Sequence, residues 1–240
     1  MFAYDSSVDV FETACGNYAS NPCFCNFGKT ISYQPLDEYS LNVAAFLQTQ
    51  FAMKKGDKFA IMMPNLLQNP IAIFGALRAG LTVVNVNPLY TAEELRHQLC
   101  DSEATGIIVL ENFATTLQTI ISETPIKHVI TTRMGDILDF TKSTIINFVV
   151  KYIKKMVPSF ELNGNYTFSR VIKLGKKHQY TRPEINQSDF AFLQYTGGTT
   201  GVAKGAILTH GNMVANLQQA SAWIEPFVEK GKENVITARK

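Results

Sequence analysis

The sequence has 240 residues, of which 46% are hydrophobic and 18% charged, with a formal net charge of +2. That balance supports a packed globular core in one large or two small domains, and it excludes a nucleic-acid binder working through overall charge. No window holds the roughly 20 uninterrupted apolar residues of a membrane-spanning helix.

Cys15, Cys23, Cys25 and Cys100 do not form a zinc pattern. Cys23 and Cys25 are one residue apart, and no Cys/His pair at metal spacing follows. They read as reduced thiols of a cytoplasmic protein. Residues Met1 to Phe11 hold no basic stretch followed by an apolar run, so no signal peptide is expected.

In chain order, Phe24–Phe27, Gly28-Lys29 and Thr30–Tyr33 predict a hairpin. Leu36 to Met53 carries apolar residues at helical spacing, and Lys55-Gly56-Asp57 is a turn. Phe59 to Met63 reads as a buried strand ended by Pro64-Asn65. Leu67 to Ala79 reads as a helix with Gly80 as its C-cap. Leu81 to Val86 is the next strand, closed by Asn87-Pro88. Thr91 and Glu94 form a capping box for a helix to about Asp101. Two further strands, Gly106–Leu110 and His128–Thr132, flank a helix near Phe113 to Ile121. This alternation predicts the α/β class, a parallel β-sheet flanked by helices.

Two segments depart from the rhythm. Ile145 to Val157 places Ile145, Val149, Tyr152 and Met156 on one helical stripe, with Lys151, Lys154 and Lys155 on the other side. Such a helix either packs its stripe on the sheet or lies on an anionic membrane. Asn163 to Pro183 is polar and basic. It reads as a connection over the surface, with room for a short helix.

The chemistry is concentrated after the apolar strand Asp189–Tyr195. There the chain runs Thr196-Gly197-Gly198-Thr199-Thr200-Gly201-Val202-Ala203-Lys204-Gly205, then Ala206-Ile207-Leu208, with Thr209 as N-cap of a helix to about Ala222. Glycines admit positive φ and bring N–H groups close to a ligand. Successive exposed N–H groups form an anion nest. Threonine hydroxyls add donors and Lys204 adds a point charge suited to phosphate. The composition fits a polyphosphate. It lacks the Gly-x-x-x-x-Gly-Lys-Ser/Thr order of P-loop enzymes and the Gly-x-Gly-x-x-Gly order of dinucleotide folds. A plain glycine–threonine hairpin would account for the glycines but not for the threonines and lysine together.

Tyr195 to Gly205 resembles the phosphate-binding motif of the adenylate-forming superfamily, the acyl-CoA synthetases, luciferases and peptide-synthetase adenylation domains. The resemblance assigns Tyr195, Thr196, Gly197, Gly198, Thr199, Thr200, Gly201, Val202, Ala203, Lys204 and Gly205 to the β- and γ-phosphates of ATP. Ala203 stands where many members have proline. The blocks Met62–Gln68, Gly75–Gly80, Asn85–Thr91, Thr132–Asp136 and Asn147–Lys154 resemble bacterial long-chain fatty-acid–CoA ligases. As family members these would use ATP, Mg²⁺ and CoA, with a long-chain fatty acid as substrate. The resemblance implies a two-step reaction: a fatty-acid carboxylate attacks the α-phosphorus of ATP to give acyl-AMP and pyrophosphate, and the CoA thiol then attacks the mixed anhydride and AMP leaves. The protein would be cytoplasmic, or peripheral on the inner face of the cell membrane through Lys151, Lys154 and Lys155.

The resemblance runs from about Val10 to Thr237 and implies an incomplete N-terminal domain, residues 1–240, of the adenylate-forming fold. The family's adenine- and ribose-binding blocks and its C-terminal domain with the catalytic lysine have no counterpart here. No catalytic residue and no metal ligand can therefore be assigned, and the 240-residue chain is expected to be inactive alone. Two other readings remain open: another adenylate-forming acid ligase, such as a short-chain or aryl acid ligase, or a non-catalytic fragment.

Overall fold

The structure, a computed structural model, describes residues 4–196 and 204–227. Helix α1 (Ser7–Asn17) starts where the Ser6 side chain accepts from the Asp9 N–H. Strands β1 (Pro22–Asn26) and β2 (Lys29–Ser32) form the expected hairpin, with Phe27 and Gly28 at φ 49° and 67° in its turn. Helix α2 (Tyr33–Thr49) follows directly. It ends before Met53, because Ala52 turns to φ 51° and drops Phe51 and Met53 into the core.

A second sheet is built from β3 (Lys58–Met62), β4 (Thr82–Asn85), β5 (Gly106–Leu110), β6 (His128–Thr132), β7 (Tyr166–Thr167), β8 (Phe190–Thr196) and β9 (Lys204–Thr209). Its order is β7-β6-β5-β3-β4-β8-β9, parallel throughout except for the β8–β9 pair. The parallel strands need crossover connections. These are helices α3 (Gln68–Arg78), α4 (Ala92–Asp101) and α5 (Ala114–Ile120). The predicted caps hold: Gly80 has φ 79°, and Thr91 and Glu94 make the reciprocal capping box.

Because side chains alternate along a strand, the sheet feeds two cores. Phe59, Ile61, Val83, Ile108 and Ile130 face α1, α2 and α3. Ala60, Met62, Val84, Ile107 and Val109 face α4 and α5. In β8 a bulge sets Phe190 and Phe192 against the adjacent partners Thr209 and Leu208, so that Ala191 is extra. Ala191 and Phe192 consequently both lie on the first core, and Leu193 and Tyr195 on the second.

Two expectations need correction. The segment from Asn163 to Pro183 is more than a surface connection. It contains β7 and helix α7 (Phe168–Gly175), whose Phe168 and Val171 are fully buried. The helix sought at Ile145–Val157 begins earlier, as α6 (Phe140–Phe148), and ends in a π-helical turn, Val149–Ile153. Its stripe does not pack on the sheet: Ile145, Tyr152 and Met156 are more than half exposed. Helix α8 (His210–Ile224) completes the described chain, followed by a short 3₁₀ turn.

Candidate functional site

The expected phosphate segment joins β8 to β9. Gly197 to Ala203 lie outside the described residues, but both stems are described. Thr196 and Lys204 are direct partners across the antiparallel pair, and Tyr195 is the partner of Gly205. Both Thr196 and Lys204 are exposed. Because β8 runs parallel to β4, Thr196 lies at the carboxyl edge of the sheet. Open α/β sheets bind their ligands at that edge.

Three contacts fix the stem. The Tyr195 hydroxyl donates to Asp101 Oδ2, at the end of α4, at 2.5 Å. Burial, and then the bond to Asp101, push the Tyr195 phenol well above its ordinary range, so it remains a donor. The Tyr195 ring lies over Gly205, where a Cβ would come within 2.9 Å of the ring. Any side chain at position 205 would displace the ring or open the strand pair. Asn85 Nδ2 donates to Gln194 Oε1 at 3.1 Å, and Gln98 Nε2 donates to the Asn85 carbonyl at 2.8 Å. The hairpin is thereby tied to β4 and α4 just below its open end.

The amino end of α8 takes no part at that edge. Strand β9 runs back across the sheet for six residues, about 20 Å, before α8 begins. There the Thr209 hydroxyl accepts from Asn212 N–H at 3.1 Å and Asn212 Oδ1 accepts from Thr209 N–H at 3.0 Å. In P-loop proteins a helix amino end faces the phosphate. Here the helix that follows the strand pair begins at the opposite edge, and the described stem residues Thr196 and Lys204 stand at the carboxyl edge without it.

His210 opens α8 and is buried. Its Nδ1 accepts from the Ser7 N–H at 3.3 Å and lies 2.8 Å from Ser7 Oγ, so α8 is joined to α1. Burial holds its pKa below the ordinary histidine value. Sequence reading missed Asp101, Asn85 and Gln98 as stem supports. They carry no local pattern, and each meets β8 or β4 only after the sheet forms.

A cavity of about 540 Å³ opens at the carboxyl ends of β5 and β6, beneath α6. It is lined by Glu111, Arg133, Asp136 and Lys151, with Phe140, Phe148 and Tyr152 among its apolar walls. Among the described residues, no group of three or more His, Cys, Asp or Glu side chains could hold a metal ion. No helix among them is long and apolar enough to cross a membrane.

The sequence profile described as AMP-binding enzyme matches residues 11–238. The chain belongs to the AMP-binding enzyme family. Within that family it is 53% identical over 235 residues to the long-chain-fatty-acid–CoA ligase of Escherichia coli O6:H1, covering 98% of this chain and 42% of that one. It is 54% identical to the Haemophilus influenzae ligase of the same name, covering 94% of this chain and 40% of that one. The chain thus spans about two fifths of the length of these relatives. A crystal structure of a long-chain-fatty-acid-CoA ligase from Archaeoglobus fulgidus superimposes with a TM-score of 0.71 at 23% identity, over 92% of this chain and 40% of that one. That likeness confirms the fold, a mostly parallel sheet flanked by helices.

Proposed function

We propose that this chain forms the polyphosphate-gripping part of an enzyme that activates long-chain fatty acids with ATP and transfers them to CoA. Thr196 to Gly205 would hold the β- and γ-phosphates. Lys204 would neutralise charge growing on the leaving pyrophosphate as the fatty-acid carboxylate attacks the α-phosphorus. The carboxylate is already ionised, so the attack needs no general base. The work is positioning and charge stabilisation. Mg²⁺ would arrive with ATP, and no step is assigned to ligands of this chain. The observation that carries the reading is the pairing of exposed Thr196 with exposed Lys204 at the sheet's carboxyl edge.

The test joins this chain to the remaining length of its Escherichia coli relative and measures acid-dependent ATP–pyrophosphate exchange. Oleate should support exchange. Lys204→Ala should lower it roughly 10²–10³-fold, the cost of one such transition-state contact, while the urea midpoint stays put. Exchange with benzoate or acetate but not oleate would assign another acid class. Exchange unaffected by Lys204→Ala would remove the phosphate role.

A second reading concerns α6 and its π-helical turn. Phe140, Ile145, Phe148, Tyr152, Ile153 and Met156 are all more than half exposed, beside exposed Lys142, Lys151, Lys154 and Lys155. An apolar row bordered by lysines suits the surface of an anionic bilayer. Each lysine contributes about 1 kcal/mol there, giving weak, salt-sensitive association. Co-sedimentation with phosphatidylglycerol vesicles should fall when Lys151, Lys154 and Lys155 become Gln. Equal sedimentation of both proteins would rule out this segment as the contact.

A further inference from the structure

The cavity beneath α6 lies away from the β8–β9 pair that carries the proposed ATP-phosphate segment. Strand β5 is separated from β8 by β3 and β4, three strand spacings or about 14 Å. It lies next to the point where the strand order reverses: β4 is on one side of β3 and β5 on the other. Crevices at such reversals are the habitual ligand sites of open α/β sheets. Its volume, about 540 Å³, is in the range of small-molecule sites.

Its charges divide into a satisfied pair and an unsatisfied one. Asp136 accepts from the Arg133 N–H at 2.9 Å and from the Thr132 hydroxyl at 3.1 Å, and the Arg133 guanidinium lies 3.4 Å from its other oxygen. The Glu111 carboxylate, by contrast, is half-buried and takes part in no hydrogen bond or ion pair among the described residues, although the backbone carbonyl of Glu111 accepts from the Ala114 N–H. Burial pushes its carboxyl above the ordinary range although Arg133 and Lys151 pull it down. Lys151 stands over the Tyr152 ring, 5.8 Å from its centroid, and forms no ion pair among the described residues. The cavity therefore holds a carboxylate and an ammonium that feel each other's charge but make no hydrogen bond or ion pair with one another. Both open beside the apolar row of α6.

We infer that this cavity binds the zwitterionic head group of an ethanolamine phospholipid, its ammonium on Glu111 and its phosphate on Lys151, with the acyl chains leaving past Phe140 and Phe148. A carboxylate that lacks donors selects a primary ammonium, which brings N–H groups, over a quaternary one, which brings none. The paired opposite charges also favour a zwitterion over a simple anion. The inference rests on the membrane reading of α6 and adds a lipid preference to it.

The test is vesicle flotation of the 240-residue chain at fixed phosphatidylglycerol content, with the balance either phosphatidylcholine or phosphatidylethanolamine. Ethanolamine vesicles should bind roughly tenfold better, the worth of one charge-assisted hydrogen bond. Glu111→Gln should abolish that difference while leaving binding to choline vesicles unchanged. Lys151 is exposed, so Lys151→Gln should leave the urea midpoint unchanged and weaken binding to both. Soluble glycerophosphoethanolamine should compete, whereas inorganic phosphate and glycerophosphoglycerol should not. Equal binding to the two vesicle types, or competition by inorganic phosphate alone, overturns the head-group inference and leaves the membrane reading standing. Absence of binding to any vesicle overturns both.

Discussion

His210 shows how one buried side chain couples stability to pH. Its Nδ1 accepts from Ser7, and burial disfavours the charged ring. Protonation would turn that acceptor into a donor facing a donor. The folded pKa lies below the unfolded value of about 6.5, so the unfolded chain binds the proton first. The stabilisation is full above that value and is lost as pH falls through the folded pKa. His128, stacked on Phe51, is shifted in the same direction by burial. Glu111 and Asp136, raised by burial, act oppositely. The difference between wild type and His210→Asn isolates the one ring. Urea midpoints of the wild type should fall more steeply than those of the variant between about pH 7 and 5. Parallel losses would show that His210 is not charged on unfolding. Nothing in the sequence around His210 marks it as buried, since its partner Ser7 is 203 residues away.

Helix α7 marks where element-scale reading allowed a short helix but not its burial. Phe168, Val171, Ile172 and Gly175 follow helical spacing, and all but Ile172 are buried. The pattern was present, but the surrounding lysines and arginines drew the segment toward the surface. Gly175 is the decisive residue, because a Cβ there would stand 1.8 Å from the Asn42 carbonyl oxygen of α2. Backbone cannot yield as a side-chain tip does. Gly175→Ala should therefore lower stability by roughly 1–3 kcal/mol, despite the alanine's better helix propensity of about 1 kcal/mol. Gly16, in α1, meets nothing within 4 Å, so Gly16→Ala should hold or raise the urea midpoint. If both variants unfold at the wild-type midpoint, the α2–α7 contact is not as close as described. The elements that were legible are those with their own local determinants. Gly80 ended α3, the Thr91–Glu94 box opened α4, and apolar runs marked β3 and β5. The exposed stripe of α6 was legible as a stripe, while its direction was not, because periodicity alone does not say which face meets the protein.

Across the whole molecule, the α/β class and parallel sheet followed from the alternation of elements, and the family from the motif at Tyr195–Gly205 with its supporting blocks. The strand order did not, since crossovers of similar length can place β4 and β5 on either side of β3. The support of the hairpin by Asp101, Asn85 and Gln98 depends on that order. In the proposed role the motif would act without the amino end of α8, on a base braced by α4 and β4. The most direct measurement is a titration of the uniformly ¹⁵N-labelled 240-residue chain with inorganic tripolyphosphate, followed by amide NMR. Saturable shifts should centre on the Gly197, Gly198, Gly201 and Gly205 amides and weaken in Lys204→Ala. Shifts confined to lysine-rich surface elsewhere, or glycine shifts of equal affinity in Lys204→Ala, would contradict the assignment of this hairpin to polyphosphate.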